Sequence, residues 1–183
     1  VVNRFYLPLI NEAARLVDEG LGTPDEVEVA ACQLFGLPIG PFAVCNMGRP
    51  ETTYAAVKGL EVLGPFYPVA RLVEMQGKHG GRWDISANAG ASRSDFDISK
   101  RLAGAVFFAA LDAVSHGVAA ASDFDSAARV ALKFKRPPFE LMNTFGRNVV
   151  AEMLGAFCCR YQAKMPSAIR QVSQGSLAEH VKQ

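Results

Sequence analysis

Thr23-Pro24-Asp25-Glu26 opens, and Phe35-Gly36-Leu37-Pro38-Ile39-Gly40-Pro41-Phe42 closes, a stretch that carries helix signals at both ends. Thr23 is an N-cap, and Pro24 takes the first helical position, where its missing N–H costs nothing. Asp25 and Glu26 put negative charge in the first turn, and Glu26 completes a capping box with Thr23. The helix should stop at Phe35 with Gly36 past its end. The Pro-Ile-Gly-Pro turn then reverses the chain into a short helix ending near Met47. Upstream, Phe5, Leu9, Ala13 and Leu16, with Ile10 and Val17 beside them, follow helical spacing as far as Gly20. Pro8 inside that pattern requires a helix start or a kink. Further helices are expected over 51–63 and 68–76. No run of β-branched residues alternates between turns, so the expected fold class is all-α.

The pattern recurs. Arg4, Ala13, Val17, Gly20, Ala30, Ala31, Pro41, Phe42 and Asn46 return as Arg101, Ala110, Val114, Gly117, Ala127, Ala128, Pro138, Phe139 and Asn143 at a constant shift of 97 residues, from 4 to 101 onward. One extra residue then carries Pro68, Ala70, Gln76 and Gly77 onto Pro166, Ala168, Gln174 and Gly175. Self-similarity at one period marks repeated structural units. The expected organisation is a first helical copy over 1–78, a connector over 79–96 and a second copy over 97–183, related by a pseudo-twofold with about five helices each. In the second copy Asp97 is the expected cap of a helix running to His116. Leu102, Val106, Phe107, Ala110 and Val114 cover its circumference, which places it centrally. Ser122 and Asp125 repeat the capping signal, Lys135 to Phe139 repeat the turn, and helices over 147–163 and 166–174 complete the set. The stretch 77–94 is rich in Gly, Ser, Asn and Ala, and Trp83 in it should pin the connector to a helix through apolar area and its indole N–H. The tail from Ser176 is polar and reads as frayed.

The chain has 183 residues, half of them hydrophobic and a fifth charged, with a formal charge of +1. That balance gives no electrostatic case for nucleic acid. The most apolar run, 102–111, falls far short of the ~20 residues a membrane span needs, so no membrane insertion is expected. Cys32, Cys45, Cys158 and Cys159 lack metal-ligand spacing and read as reduced thiols of a cytoplasmic protein, with no metal. The chain opens at Val1 without an initiator Met and reads as part of a longer protein.

Val2-Asn3-Arg4-Phe5-Tyr6-Leu7-Pro8, followed by Asn11-Glu12-Ala13, resembles the opening of the C-terminal helical domain of 3-hydroxyacyl-CoA dehydrogenases. Leu37 to Phe42 resembles that family's aromatic-Pro-Met-Gly-Pro-Phe turn, Glu51-Thr52-Thr53 its Asp-Thr-Thr, and Phe139 to Asn143 its Phe-Glu-Leu-Leu-Asp. Tandem copies resemble the dehydrogenase part of multifunctional fatty-acid β-oxidation enzymes, with the helical architecture of 6-phosphogluconate dehydrogenase C-terminal domains. The resemblance implies NAD-dependent oxidation of an (S)-3-hydroxyacyl-CoA to the 3-ketoacyl-CoA. It implies that NAD sits on an N-terminal Rossmann domain absent from this chain, together with a His–Glu pair and a Ser. Of the family's catalytic set only one Asn belongs to the helical part, and it maps onto Asn3. A carboxamide donates and accepts at one place, which suits substrate positioning; as an alternative, Asn3 caps the first helix. Lys100 stands at the matching place in copy two, which therefore reads as structural. Asn46 and Asn143 replace a family Asp and stay outside the site. The implied partners are the acyl-CoA substrate and the Rossmann domain, with a homo-oligomer left open.

Other candidates carry less. Gly20-Leu21-Gly22 follows a helix rather than a strand, and Asp25 and Glu26 would repel a pyrophosphate at the next helix start. Lys78, His79 and Arg82, and likewise Lys133, Lys135 and Arg136, read as solvated charges rather than CoA-phosphate ligands. His79, His116 and His180 show no carboxylate or Ser partner at a readable spacing. The rival functions are a non-catalytic interaction or dimerisation module and the helical domain of a related β-hydroxyacid or sugar-acid dehydrogenase.

Overall fold

The computed structural model describes residues 1–86 and 96–174, and among these it contains helices and 3₁₀ turns but no strand. The first half runs α1 (Asn3–Asp18), α2 (Pro24–Phe35), α3 (Pro41–Met47), α4 (Pro50–Lys58), a 3₁₀ turn (Glu61–Leu63) and α5 (Arg71–His79). The second runs α6 (Phe96–Ser115), α7 (Ala121–Leu132), α8 (Pro138–Phe145), α9 (Arg147–Tyr161) and a 3₁₀ turn (Ser167–Gln171). The two long helices α1 and α6 form the most extensive packing pair, and the rest wrap around them. Every residue of 102–111 is buried, so α6 lies centrally as its all-round apolar surface requires. Gly104 lets it close on α9, since a Cβ there would sit 2.7 Å from the Phe157 ring.

The capping box of α2 forms as its sequence dictates: Glu26 N–H donates to Thr23 Oγ1 at 3.3 Å, and Thr23 N–H donates to Glu26 Oε2 at 2.8 Å. Gly36 ends the helix in the left-handed region at φ 64°. Several expectations need correction. The helix expected over 51–63 ends at Lys58 with Gly59 as its C-cap, and beyond it the Glu61 carboxylate accepts from Val69 N–H at 3.1 Å and from Lys58 at 3.1 Å. The helix expected from Pro68 starts at Arg71. Asn11 on α1 takes the backbone on either side of Val69, donating to Pro68 O at 2.9 Å and accepting from Ala70 N–H at 2.8 Å. Gly77 then lies inside α5, where a Cβ would run into Tyr54 of α4.

Asp97 lies within the first turn of α6. Ser122 lies inside α7, whose start is held by the Asp123 carboxylate accepting from Ala120 N–H at 3.0 Å. The helix expected over 166–174 is a 3₁₀ turn. Arg147 takes the carbonyls of Arg170 and Val172 at 2.8 and 2.7 Å, so they are turned to a side chain rather than along a helix axis. Trp83 is buried and stacks on Phe42 with centroids 4.1 Å apart. Its backbone is what is held: Asn46 donates to Trp83 O at 2.9 Å and accepts from its N–H at 2.8 Å, while the indole N–H makes no hydrogen bond among the described residues. The connector positions 87–95 and the tail from Ser176, including His180, lie outside the described residues.

Candidate active-site edge at the start of the first helix

Asn3 is the first residue of α1, and Val2, already helical at φ −51° and ψ −51°, is the N-cap. The capping alternative for Asn3 therefore fails: its carboxamide is exposed and makes no hydrogen bond among the described residues. No acid stands in this first turn and no side chain caps it. Such a start would fray unless tertiary contacts hold it. Phe5 and Tyr6, both buried, supply the apolar part. The polar part comes from α6, where Arg4 reaches Asp112 Oδ2 at 3.4 Å. Tyr67 O–H donates to the same oxygen at 2.7 Å, and His116 Nδ1 lies 3.3 Å from Oδ1. Burial pushes the Tyr67 phenol far above its ordinary range, and the Asp112 hydrogen bond adds to that, so it stays a donor. The nearer contact of His116 Nδ1 is the Asp112 backbone carbonyl oxygen at 2.8 Å, so the Asp112 carboxylate four residues before it is a neighbour that the sequence reading did not assign. Arg4 Nε is the buried side-chain polar atom left without a partner among the described residues.

At the other end of the α1–α6 pair stands Arg101. Its guanidinium donates to Glu12 Oε1 (2.8 Å from Nε), to Tyr161 Oη (3.0 Å) and to Glu19. Glu12 has a fully buried side chain, and it also accepts from Arg15 at 3.1 Å and from Tyr161 O–H at 2.6 Å. Burial alone would lower Arg101, but Glu19 and Glu12 reverse the balance and hold it firmly protonated. Sequence patterns singled out Arg4 and Arg101 as repeated residues and Glu12 as part of a motif, without a role for any of them.

Two buried carboxylates do matching work. Glu28 on α2 accepts from Phe42 and Ala43 N–H at 2.8 and 3.0 Å, the open start of α3. Asp125 on α7 accepts from Phe139 and Glu140 N–H at the same two distances, the open start of α8. Asp125 was expected as part of the capping signal for its own helix, and it caps the next one instead. Burial raises both carboxyls, and the backbone donors draw them partway back.

Lys100 is exposed at the start of α6 and lines a groove of about 530 Å³ between α6 and α9, floored by Met153, Ala156 and Phe157. It does not meet Asn3, which lies at the opposite end of the α1–α6 seam. Lys78 is tied to Glu74 at 2.7 Å. Lys133 ends α7 at φ 58°, and Lys135 and Arg136 N–H donate to Gly36 O and Phe35 O, so these are structural positions. Asn143 accepts from Ser173 N–H at 2.9 Å, a brace like that of Asn46. All four cysteines are free, and burial pushes Cys32 up to about 11 and Cys45 up to about 12. Among the described residues no group of three His, Cys, Asp or Glu side chains could hold a metal, and no helix is long and apolar enough to cross a membrane. Gly20 ends α1 at φ 69°, and Glu26 is committed to the capping box, so this segment does not fit a dinucleotide pyrophosphate.

The fold is that of a solved 3-hydroxybutyryl-CoA dehydrogenase from Escherichia coli K12 substr. MG1655, with a TM-score of 0.74 at 14% identity. The alignment covers 93% of this chain and 58% of that one. Among curated proteins none matches. A family model for the 3-hydroxyacyl-CoA dehydrogenase C-terminal domain matches residues 1–80 and 98–180. The chain belongs to the 3-hydroxyacyl-CoA dehydrogenase C-terminal domain family.

Proposed function

We propose that the chain is the substrate-binding and assembly part of an NAD-dependent enzyme that oxidises (S)-3-hydroxyacyl-CoA to 3-ketoacyl-CoA in fatty-acid β-oxidation. The family match over both stretches carries this reading. In this reading NAD belongs to an N-terminal cofactor domain, as membership of a family of C-terminal dehydrogenase domains suggests. Asn3 supplies the chain's contribution to chemistry. Its carboxamide is exposed and makes no hydrogen bond among the described residues, which suits donating to, or accepting from, a substrate oxygen at the edge facing that domain. The free thiols suit a cytoplasmic setting.

Residues 1–78 and 97–183 are two copies of one helical unit, joined by 79–96, in this proposal. The matching caps of Glu28 and Asp125, 97 positions apart and aimed at equivalent backbone groups, support it. Copy two holds Lys100 where copy one holds Asn3, and an ammonium cannot accept a hydrogen bond. Copy one is therefore the active half.

The test is turnover of a short-chain (S)-3-hydroxyacyl-CoA by the full-length protein with NAD, beside the isolated chain. The full-length protein should form NADH, and the isolated chain should neither turn over nor bind NAD in calorimetric titration. An inert full-length protein, or micromolar NAD binding by residues 1–183 alone, would overturn the reading.

A further inference from the structure

We infer that Asp112, on the second half, is a positioning residue for Asn3, on the first. The inference rests on the catalytic reading of Asn3. The first turn of α1 lacks a side-chain cap and an acidic residue, and a proline follows it at Pro8, so little within the helix fixes where Asn3 points. Fixation has to come from outside. Beyond the burial of Phe5 and Tyr6, the polar contact on that turn is Arg4 with Asp112, and both side chains are largely buried, at 18% and 14% exposure. Asp112 is itself held: Tyr67, buried, donates to its Oδ2, and His116 flanks its Oδ1.

Arg4 and Asn3 are consecutive on one helical turn, so a change in where the guanidinium docks rotates or frees the carboxamide next to it. The contact is also poised rather than saturated. Among the described residues Arg4 makes one long bond to Asp112 and leaves Nε buried without a partner, whereas Arg101 uses Nε and both terminal nitrogens. A guanidinium with spare donors is sensitive to the charge of its one acceptor. Placement errors near an ångström at a reacting group cost about a hundredfold in rate, so a partial loosening should be plainly measurable.

The experiment is a double-mutant cycle in the full-length protein, with kcat and KM read per folded enzyme and melting temperature as control. Asp112→Asn keeps the shape and an acceptor for Tyr67 but removes the charge that holds Arg4. It should lower kcat by about tenfold with KM within about twofold. In an Asn3→Ala background the same substitution should cost less than about twofold more, because there is no carboxamide left to position. A merely structural Asp112 would lower both backgrounds by the same factor, and that result overturns the inference. So would an unchanged kcat. Should Asp112→Asn not fold, Tyr67→Phe, which removes one donor and keeps the ring, decides by the same comparison. Asn3→Ala with full turnover would instead sink the catalytic reading of Asn3, so the two failures are distinguishable.

Discussion

Arg4 and Arg101 stand 97 positions apart at the two ends of one helix pair, and their surroundings could hardly differ more. Arg101 is surrounded by Glu12, Glu19 and Tyr161, with Arg160 sharing Glu19. Among the described residues Arg4 has one carboxylate, at 3.4 Å, and a buried Nε with no partner. Buried polar networks rigidify when fully satisfied, and an unsatisfied donor costs stability. One end of the seam is therefore a lock and the other is left incomplete. The incomplete end is where Asn3 lies, and the locked end is where Lys100 lies. Local departures from full satisfaction are expected at functional sites, and the asymmetry fits a division into an active and a structural half.

Removing the centre of the lock should have the largest effect on folding. Glu12→Ala leaves Arg101 and Arg15 facing each other without their shared carboxylate in a buried site. Breaking a buried pair in this way costs about 3–5 kcal/mol. Urea denaturation should find that loss, and a cost under about 1 kcal/mol would mean the network contributes nothing at the seam. The next effect tests what the halves share. Glu28→Ala and Asp125→Ala each strip two backbone N–H groups of their acceptor, and each should cost about 2–3 kcal/mol. A large inequality between the two would break the equivalence of the caps.

The smallest effect is pH-dependent. Burial alone would raise the Glu19 carboxyl, but hydrogen bonds from Arg101 and Arg160 outweigh it and hold it below its ordinary value of 4.5. A carboxyl depressed in the folded state contributes stability above its unfolded value, and that contribution is lost as pH falls through the folded one. Glu19 is partly exposed and solvent screens its ion pairs, so Glu19→Gln should be less stable than the parent by about 1 kcal/mol at neutral pH. The gap should close as pH drops below 4.5. A gap that stays constant through acid would show that the carboxylate's charge is not what Arg101 and Arg160 use.

Local signals were legible and long-range ones were not. Thr23-Pro24-Asp25-Glu26 and Gly36 fixed both ends of α2 because every group involved lies within a few residues. The start of α5 escaped, because it is set by the Asn11 carboxamide 57 residues away from Pro68. Asp125 looked like a local cap, and burial turned it toward α8, 14 residues on at Phe139. The family motif pointed to Asn3 as a candidate, but it gave no hint that Arg4 beside it docks on Asp112, 108 residues later. The Asp112–His116 pair is different: four residues on one helix face make it readable in the sequence.

The central claim is that the two halves divide into an active and a structural one, and steady-state kinetics on Asn3→Ala and Lys100→Ala in the full-length protein test it most directly. Asn3→Ala should lower kcat by roughly 10–1000-fold, since one well-placed polar contact in a transition state supplies a few kcal/mol. Its melting temperature should barely move, because the exposed carboxamide caps nothing. Lys100→Ala should leave kcat within about twofold of the parent. If Lys100→Ala reduced turnover as much as Asn3→Ala at unchanged melting temperature, the division would be wrong.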